Sequence, residues 1–170
     1  MKKGTFFMAK LSTKKIAKAG IIAALYVVLS LITFPIASGS IQFRLSEGLT
    51  LLPLIMIESI PALFIGCFLS NLITGCMLLD VIFGSLITLL ASALTYLVGK
   101  MIKNKWIKYL LGGIFPVILN AFLLPVIWYF CYGKLEYLYI LQVAFLLVSQ
   151  SVSVYAFGVP TCLIIEKRKL

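Results

Sequence analysis

Six apolar stretches organise the chain, at about 16–36, 45–57, 60–74, 81–99, 107–132 and 135–165. Polar or turn-forming residues part them: Pro35 with Ser38-Gly39-Ser40, Glu58-Ser59-Ile60-Pro61, Gly75 through Asp80, a lysine-rich run from Lys100 to Lys108, and Gly133-Lys134. A helix rises about 1.5 Å per residue, so crossing roughly 30 Å of hydrocarbon takes about 20 residues. The second and third stretches fall short of that length; the other four reach it. Short helices are tolerated at membrane depth where they line a protein cavity. The pattern therefore predicts an all-α membrane protein of six transmembrane helices in one integral domain over 1–170. The second and third are short and border a cavity, a re-entrant hairpin being the other arrangement of that pair.

Basic residues orient the bundle. Lys2, Lys3, Lys10, Lys14, Lys15 and Lys18 sit at the first stretch, Lys100, Lys103, Lys105 and Lys108 between the fourth and fifth, and Lys167, Arg168 and Lys169 at the end. With six crossings, thirteen of the fifteen basic residues share one side, and only Arg44 and Lys134 face the other. This predicts a multi-pass protein of the plasma membrane with both termini cytoplasmic. Composition agrees: the 170 residues are 62% hydrophobic and 12% charged, with mean hydropathy +1.14, against about a quarter charged in soluble domains. The net charge of +10 does not signal nucleic acid, because each basic cluster flanks an apolar span, where topology and anionic headgroups account for it. Trp106 and Tyr109, with Trp128, Tyr129 and Tyr132 at the other end of the fifth stretch, fit interfacial aromatic belts. The lysine-rich start followed by Ala37-Ser38-Gly39 loosely resembles a secretory signal. Its apolar run is too long for a signal core, so retention is expected.

Candidate chemistry begins at Arg44 and Glu47, opposite charges three residues apart in an otherwise apolar setting. Ionisable groups at membrane depth are costly and by default mark function. In the six-span arrangement Asn71 and Thr74, at the end of the third span, and Asp80, at the start of the fourth, join them in the outer half. Mutual neutralisation would explain Arg44 and Glu47 but leave Asp80 unexplained. Asn120 lies deeper, after Pro116, and Gln142, Ser149, Gln150 and Ser153 share a face of the sixth stretch. For Gln150 and the serines interhelical bonding is the expected role, as helix packing is for Ser85, Thr88, Ser92 and Thr95.

Ala19, Gly20, Ala23 and Ala24 form two small-xxx-small pairs, read as one face, near the cytoplasmic end of the first span. Small residues let helices approach closely in lipid, which suits internal packing or the docking of a partner subunit. Enzyme signatures do not appear. The chain has no histidine, no phosphate-cradling glycine loop, no metal-ligand spacing and no motif for a cofactor or an ATPase. Cys67, Cys76, Cys131 and Cys162 are scattered singly and read as small buried hydrophobes. Cys76 and Cys131 fall near the outer face, which permits a disulfide without implying one.

The run Ile41-Gln42-Phe43-Arg44-Leu45-Ser46-Glu47-Gly48-Leu49-Thr50-Leu51-Leu52-Pro53 resembles the signature of the queuosine-precursor transporter family. Asn71-Leu72-Ile73-Thr74-Gly75, Leu79-Asp80-Val81-Ile82-Phe83-Gly84-Ser85-Leu86 and Pro116-Val117-Ile118-Leu119-Asn120-Ala121 resemble further blocks of it, so the likeness covers nearly the whole chain. Gly48 stands where that family more often has alanine. These proteins are substrate-binding S components of energy-coupling factor (ECF) transporters. The resemblance implies six helices, an outward cavity, and contact through small residues of the first span with a transmembrane coupling subunit. Ala19, Gly20, Ala23 and Ala24 match that contact, and two ATPase subunits would supply the energy. The implied substrate is a 7-deazaguanine base such as 7-aminomethyl-7-deazaguanine, or queuine.

A guanine-like edge offers two neighbouring N–H donors that one carboxylate accepts together, in strong charge-assisted bonds. An aminomethyl group is cationic and wants a second acid. Glu47 and Asp80 divide these tasks in this reading, Arg44 and Asn71 serve the base carbonyl and ring nitrogen, and Phe43 or Trp128 stacks on the ring. Three rivals stay open: an S component for another vitamin, a purely structural membrane subunit, which would tolerate Glu47→Ala, and a small intramembrane lipid-modifying enzyme, which would need a metal.

Overall fold

The computed structural model describes residues 13–37, 42–135 and 137–168. Lys2, Lys3, Lys10, Lys169 and the Ser38-Gly39-Ser40 connection, expected at the membrane faces, lie outside the described residues. Helix α1 (Thr13–Ala37) is followed by a 3₁₀ helix (Leu45–Leu54), α2 (Ser59–Ile73), α3 (Leu78–Met101) and α4 (Lys105–Tyr132). A last long helix starts as α5 (Tyr139–Ser151), widens into a π segment (Val152–Gly158) and finishes as α6 (Val159–Arg168). No strand occurs among the described residues.

Local chemistry sets the ends. The Asn104 side chain caps α4 by accepting from the Trp106 and Ile107 amides at 3.1 and 3.3 Å, which satisfies donors the first turn leaves free. Gly75 after α2 and Gly133 after α4 take left-handed conformations, with φ of 74° and 71°, the usual helix stop. Inside α4, Pro116 has no N–H for the Gly112 carbonyl one turn back. The Thr95 hydroxyl of α3 donates to that carbonyl at 2.9 Å, so a helix-breaking residue becomes a link between α3 and α4. Lys105 and Lys108 at the start of α4 pair with Glu166 near the end of α6 at 2.8 and 3.6 Å, which places those two ends on one face of the bundle.

Sequence and structure part at the second stretch. Four helices are long and apolar enough to cross a membrane, at 13–36, 78–101, 105–132 and 139–168. The expected third span is the 15-residue α2. The expected second span, 45–57, is not an α-helix that crosses the bilayer but the 3₁₀ helix Leu45–Leu54, with every residue from Ser46 to Leu54 buried. It runs down the middle of the bundle, in contact with α1, α2, α3, α4, the π segment and α6. A 3₁₀ spiral rises about 2.0 Å per residue against 1.5 Å for an α-helix, so ten residues reach roughly 20 Å. It is also the narrower coil. Both properties suit a short segment enclosed on all sides, and its i→i+3 bonds saturate the backbone where water is absent. Apolar side chains such as Ile21, Leu97, Phe130 and Val148 face outward from the surrounding helices, each more than 45% exposed.

Two backbones meet without side chains between them where the 3₁₀ helix crosses the π segment. A Cβ on Gly158 would lie 2.5 Å from the Gly48 carbonyl oxygen, and one on Gly48 would lie 3.0 Å from the Ser153 carbonyl and the Phe157 Cβ. Alanine at position 48 therefore fits only if the π segment yields by a few tenths of an ångström. At Gly158 the obstacle is backbone and cannot rotate away. Gly158→Ala is expected to destabilise the fold by about 1–3 kcal/mol through overpacking, read as a lowered thermal midpoint in detergent; an unchanged midpoint would mean that the two segments do not touch.

Candidate functional site

Three one-turn stripes converge on one cleft: Cys67 and Asn71 on α2, Asp80, Gly84 and Thr88 on α3, and Asn120, Leu124 and Trp128 on α4. Residues four apart on a helix lie above one another, so two of these walls are three residues tall, or about 12 Å at 1.5 Å per residue. Arg44 and Glu47, at the start of the 3₁₀ helix, close the fourth side. Asp80 and Trp128 stand toward the helix ends, at the mouth; Glu47, Thr88 and Asn120 form the floor. The free volume inside the cleft is about 10 Å³, on the order of one water molecule, so the site as it stands is contracted.

Glu47 is 3% exposed. Its Oε1 accepts from the Tyr26 hydroxyl of α1 at 2.7 Å, and its Oε2 from the Asn120 amide of α4 at 3.0 Å. The same Asn120 nitrogen reaches Gln150 Oε1 on α5 at 3.4 Å. One turn along α1, Ser30 donates to Ser46 at 2.8 Å. Arg44 Nη1 donates to Asn71 Oδ1 at 3.1 Å, and the Asn71 amide and the Thr88 hydroxyl point at Cys67 Sγ, at 3.6 and 3.4 Å. The Trp128 indole N–H and the Cys76 thiol turn toward the Asp80 carboxylate. Arg44 forms no direct ion pair with Glu47 or Asp80, but its charge acts on both carboxylates across the cleft, and neutral donors complete their surroundings.

Six of the seven residues singled out for substrate contact therefore line one cleft: Arg44, Glu47, Asn71, Asp80, Asn120 and Trp128. Phe43 does not. Its ring packs edge-on against Phe157 of the π segment, with centroids 6.1 Å apart. Cys76 and Cys131 are both free thiols, and Cys76 serves Asp80 instead of a disulfide. The small residues of α1 also divide. Ala23 is buried against α2, where a Cβ on Gly66 would come 3.1 Å from its carbonyl oxygen and 2.8 Å from Tyr26 Cβ. Ala19 packs on the same core, whereas Gly20 and Ala24 face outward. The physical reason is helical geometry: positions 19 and 23 stand one above the other and positions 20 and 24 lie about 100° round from them, so the four do not form one face.

Sequence reasoning missed Tyr26, Cys67, Gly84, Thr88 and Leu124. The signal for Tyr26 was present: Tyr26, Ser30 and Thr33 make a polar stripe along an otherwise apolar helix, and all three are buried. Thr88 was grouped with Ser85, Ser92 and Thr95 as packing; Thr95 does that, and Thr88 faces the cleft. Gln150 behaves as expected, holding α5 to α4 through Asn120.

The profile of a family described as QueT transporter matches residues 16–167. The queuosine precursor transporter QueT of Lactococcus lactis subsp. cremoris (strain MG1363) is 37% identical over 101 residues, which cover 58% of this chain and 59% of that protein. No solved structure matches the chain. Family and relative are transporters, not enzymes.

Proposed function

The chain belongs to the QueT transporter family, and on that premise we propose that it is the substrate-binding S component of an ATP-driven ECF importer for a queuosine precursor. The substrate class is a 7-deazaguanine base, such as 7-aminomethyl-7-deazaguanine or queuine. The observation that carries this reading is the cleft: two carboxylates and one guanidinium, with three amide or hydroxyl side chains, gathered inside an apolar bundle. With all three charges present the lining is one negative charge in excess, which suits a ligand bearing one ammonium. Asp80, at the mouth, is the better placed acid for that ammonium. Glu47, on the floor, suits the paired N–H donors of the guanine-like edge, with Arg44 and Asn71 toward the ring carbonyl and Trp128 beside the ring. Nothing is transformed; the protein binds and releases.

Orientation follows from charge. Lys14 and Lys15 at the start of α1, Lys100 and Lys103 at the α3–α4 turn and Lys167 and Arg168 at the end of α6 gather at the end of the bundle away from the cleft mouth. A basic excess marks the cytoplasmic side, so both termini are cytoplasmic in this reading and the cleft opens outward. In a cysteine-free background, a cysteine at Asn104 should react with an impermeant thiol reagent only after cell lysis; labelling of intact cells would reverse the orientation.

The reading also requires a coupling subunit and two ATPase subunits. Their docking surface on α1 is the outward pair Gly20 and Ala24, with Ala19 and Ala23 turned inside. Ala24→Trp should leave ligand binding intact, abolish uptake and reduce co-purification with the coupling subunit. Normal uptake by that variant would remove α1 from the interface.

Substrate assignment is tested by calorimetric titration with 7-aminomethyl-7-deazaguanine. Removing one partner of a buried charge-assisted bond costs about 2–5 kcal/mol, so Glu47→Gln and Asp80→Asn should each weaken binding by roughly 30-fold to several thousand-fold. With a ligand lacking the amine, Asp80→Asn should lose its effect while Glu47→Gln keeps it. Wild-type affinity in both variants would place the substrate elsewhere, and failure of the wild type to bind any deazaguanine would overturn the substrate class.

A further inference from the structure

Gly84 lacks the backbone-to-backbone or severe packing reason that most other interior glycines of this bundle have for being glycine. A Cβ on Gly66, Gly99, Gly112, Gly113 or Gly158 would come within 2.8, 2.8, 2.6, 2.5 or 2.5 Å of a neighbouring segment, closer than real Cβ atoms come, so those positions exist to let segments touch. Gly84 is different. It is buried and mid-helix, its φ is unremarkable, and the nearest atoms to a Cβ there would be Asn71 Nδ2 at 3.3 Å, Asp80 Oδ1 at 3.5 Å and Leu124 Cδ2 at 4.0 Å. An alanine would fit once the Asn71 amide, a side-chain tip, gave by a few tenths of an ångström, and alanine is the better helix former.

What the missing Cβ leaves is space in the cleft itself. The three atoms it would meet are side-chain tips from α2, α3 and α4, the three helices whose stripes wall the site. Gly84 lies one turn below Asp80 and one above Thr88, between the mouth and the floor. A methyl group there would project into the middle of a cleft that is already contracted.

We propose that Gly84 sets the clearance of the cleft and so determines which ligands pass from the Asp80 level to Glu47: a flat fused-ring heterocycle lies against the bare Cα face, where any side chain would exclude it. This inference rests on the deazaguanine reading and adds to it a residue that touches the ring by lacking a side chain. Gly84→Ala is the test, with thermal unfolding and calorimetric titration against 7-aminomethyl-7-deazaguanine in parallel. The thermal midpoint should stay level or rise, while affinity falls by about tenfold to 200-fold, the range one methylene commands in a fitted pocket. Adding Leu124→Ala, which trims the tip facing position 84, should return much of the loss. If the wild type binds and Gly84→Ala binds equally well, the clearance role is wrong although the substrate reading stands. A lowered midpoint for Gly84→Ala would make the position a packing glycine and overturn the proposal, and so would a double variant no better than Gly84→Ala. If the wild type itself does not bind, the substrate reading fails first, and this inference with it.

Discussion

A carboxylate placed among apolar helices, far from water, needs donors from the protein around it, and much of this architecture supplies them to Glu47. An unsatisfied buried charge costs several kcal/mol, so the residue is stable only where other segments meet it. Tyr26 brings α1 and Asn120 brings α4, with Gln150 of α5 behind Asn120. One side chain on the 3₁₀ helix thereby fixes the mutual positions of three others. The Ser30–Ser46 bond repeats the link between α1 and the 3₁₀ helix one turn along.

The 3₁₀ helix carries Glu47 inward because it is thin. Its neighbours accept it through small residues: Gly158 beside Gly48, and Gly99 and Gly112 around Leu54. Where the last long helix passes it, that helix has widened to a π segment, a distortion that often marks functional positions. Pro160 follows directly and lacks the N–H that an α-helix would offer the Ala156 carbonyl. The two departures from α geometry thus face each other where Gly48 and Gly158 let the backbones approach closely.

How much of this was legible in the sequence follows from what each signal measures. Hydropathy reports length and apolarity, so the four long helices emerged with ends within a few residues of those observed. The 3₁₀ helix was read as a short span because an apolar run does not reveal its rise per residue or whether protein or lipid surrounds it. Charges and amides were conspicuous against an apolar background, which is why Arg44, Glu47, Asn71, Asp80 and Asn120 were found. Residues without such contrast were not: Thr88 and Cys67 look like packing, and Gly84 acts through an atom it lacks. Tyr26 was recoverable from its stripe with Ser30 and Thr33. The small residues of α1 were noticed, but assigning all four to one face ignored the 100° step between adjacent positions.

The same bonds that hold the cleft's side chains in place constrain how tightly anything can be held in it. Both oxygens of Glu47 already accept protein donors, and Arg44 already donates to Asn71. A ligand that claims these groups exchanges one set of hydrogen bonds for another. Such an exchange nets only about 0.5–1.5 kcal/mol per bond, against several in isolation. For the proposed substrate, binding energy would then come mainly from burial of the ring, and the protein would regain its own bonds when the ligand leaves. A transporter's site has to empty as readily as it fills. A buried acid whose donors move back onto it meets that condition better than a cavity lined with unsatisfied groups, which would hold its cargo at the full cost of desolvating them again.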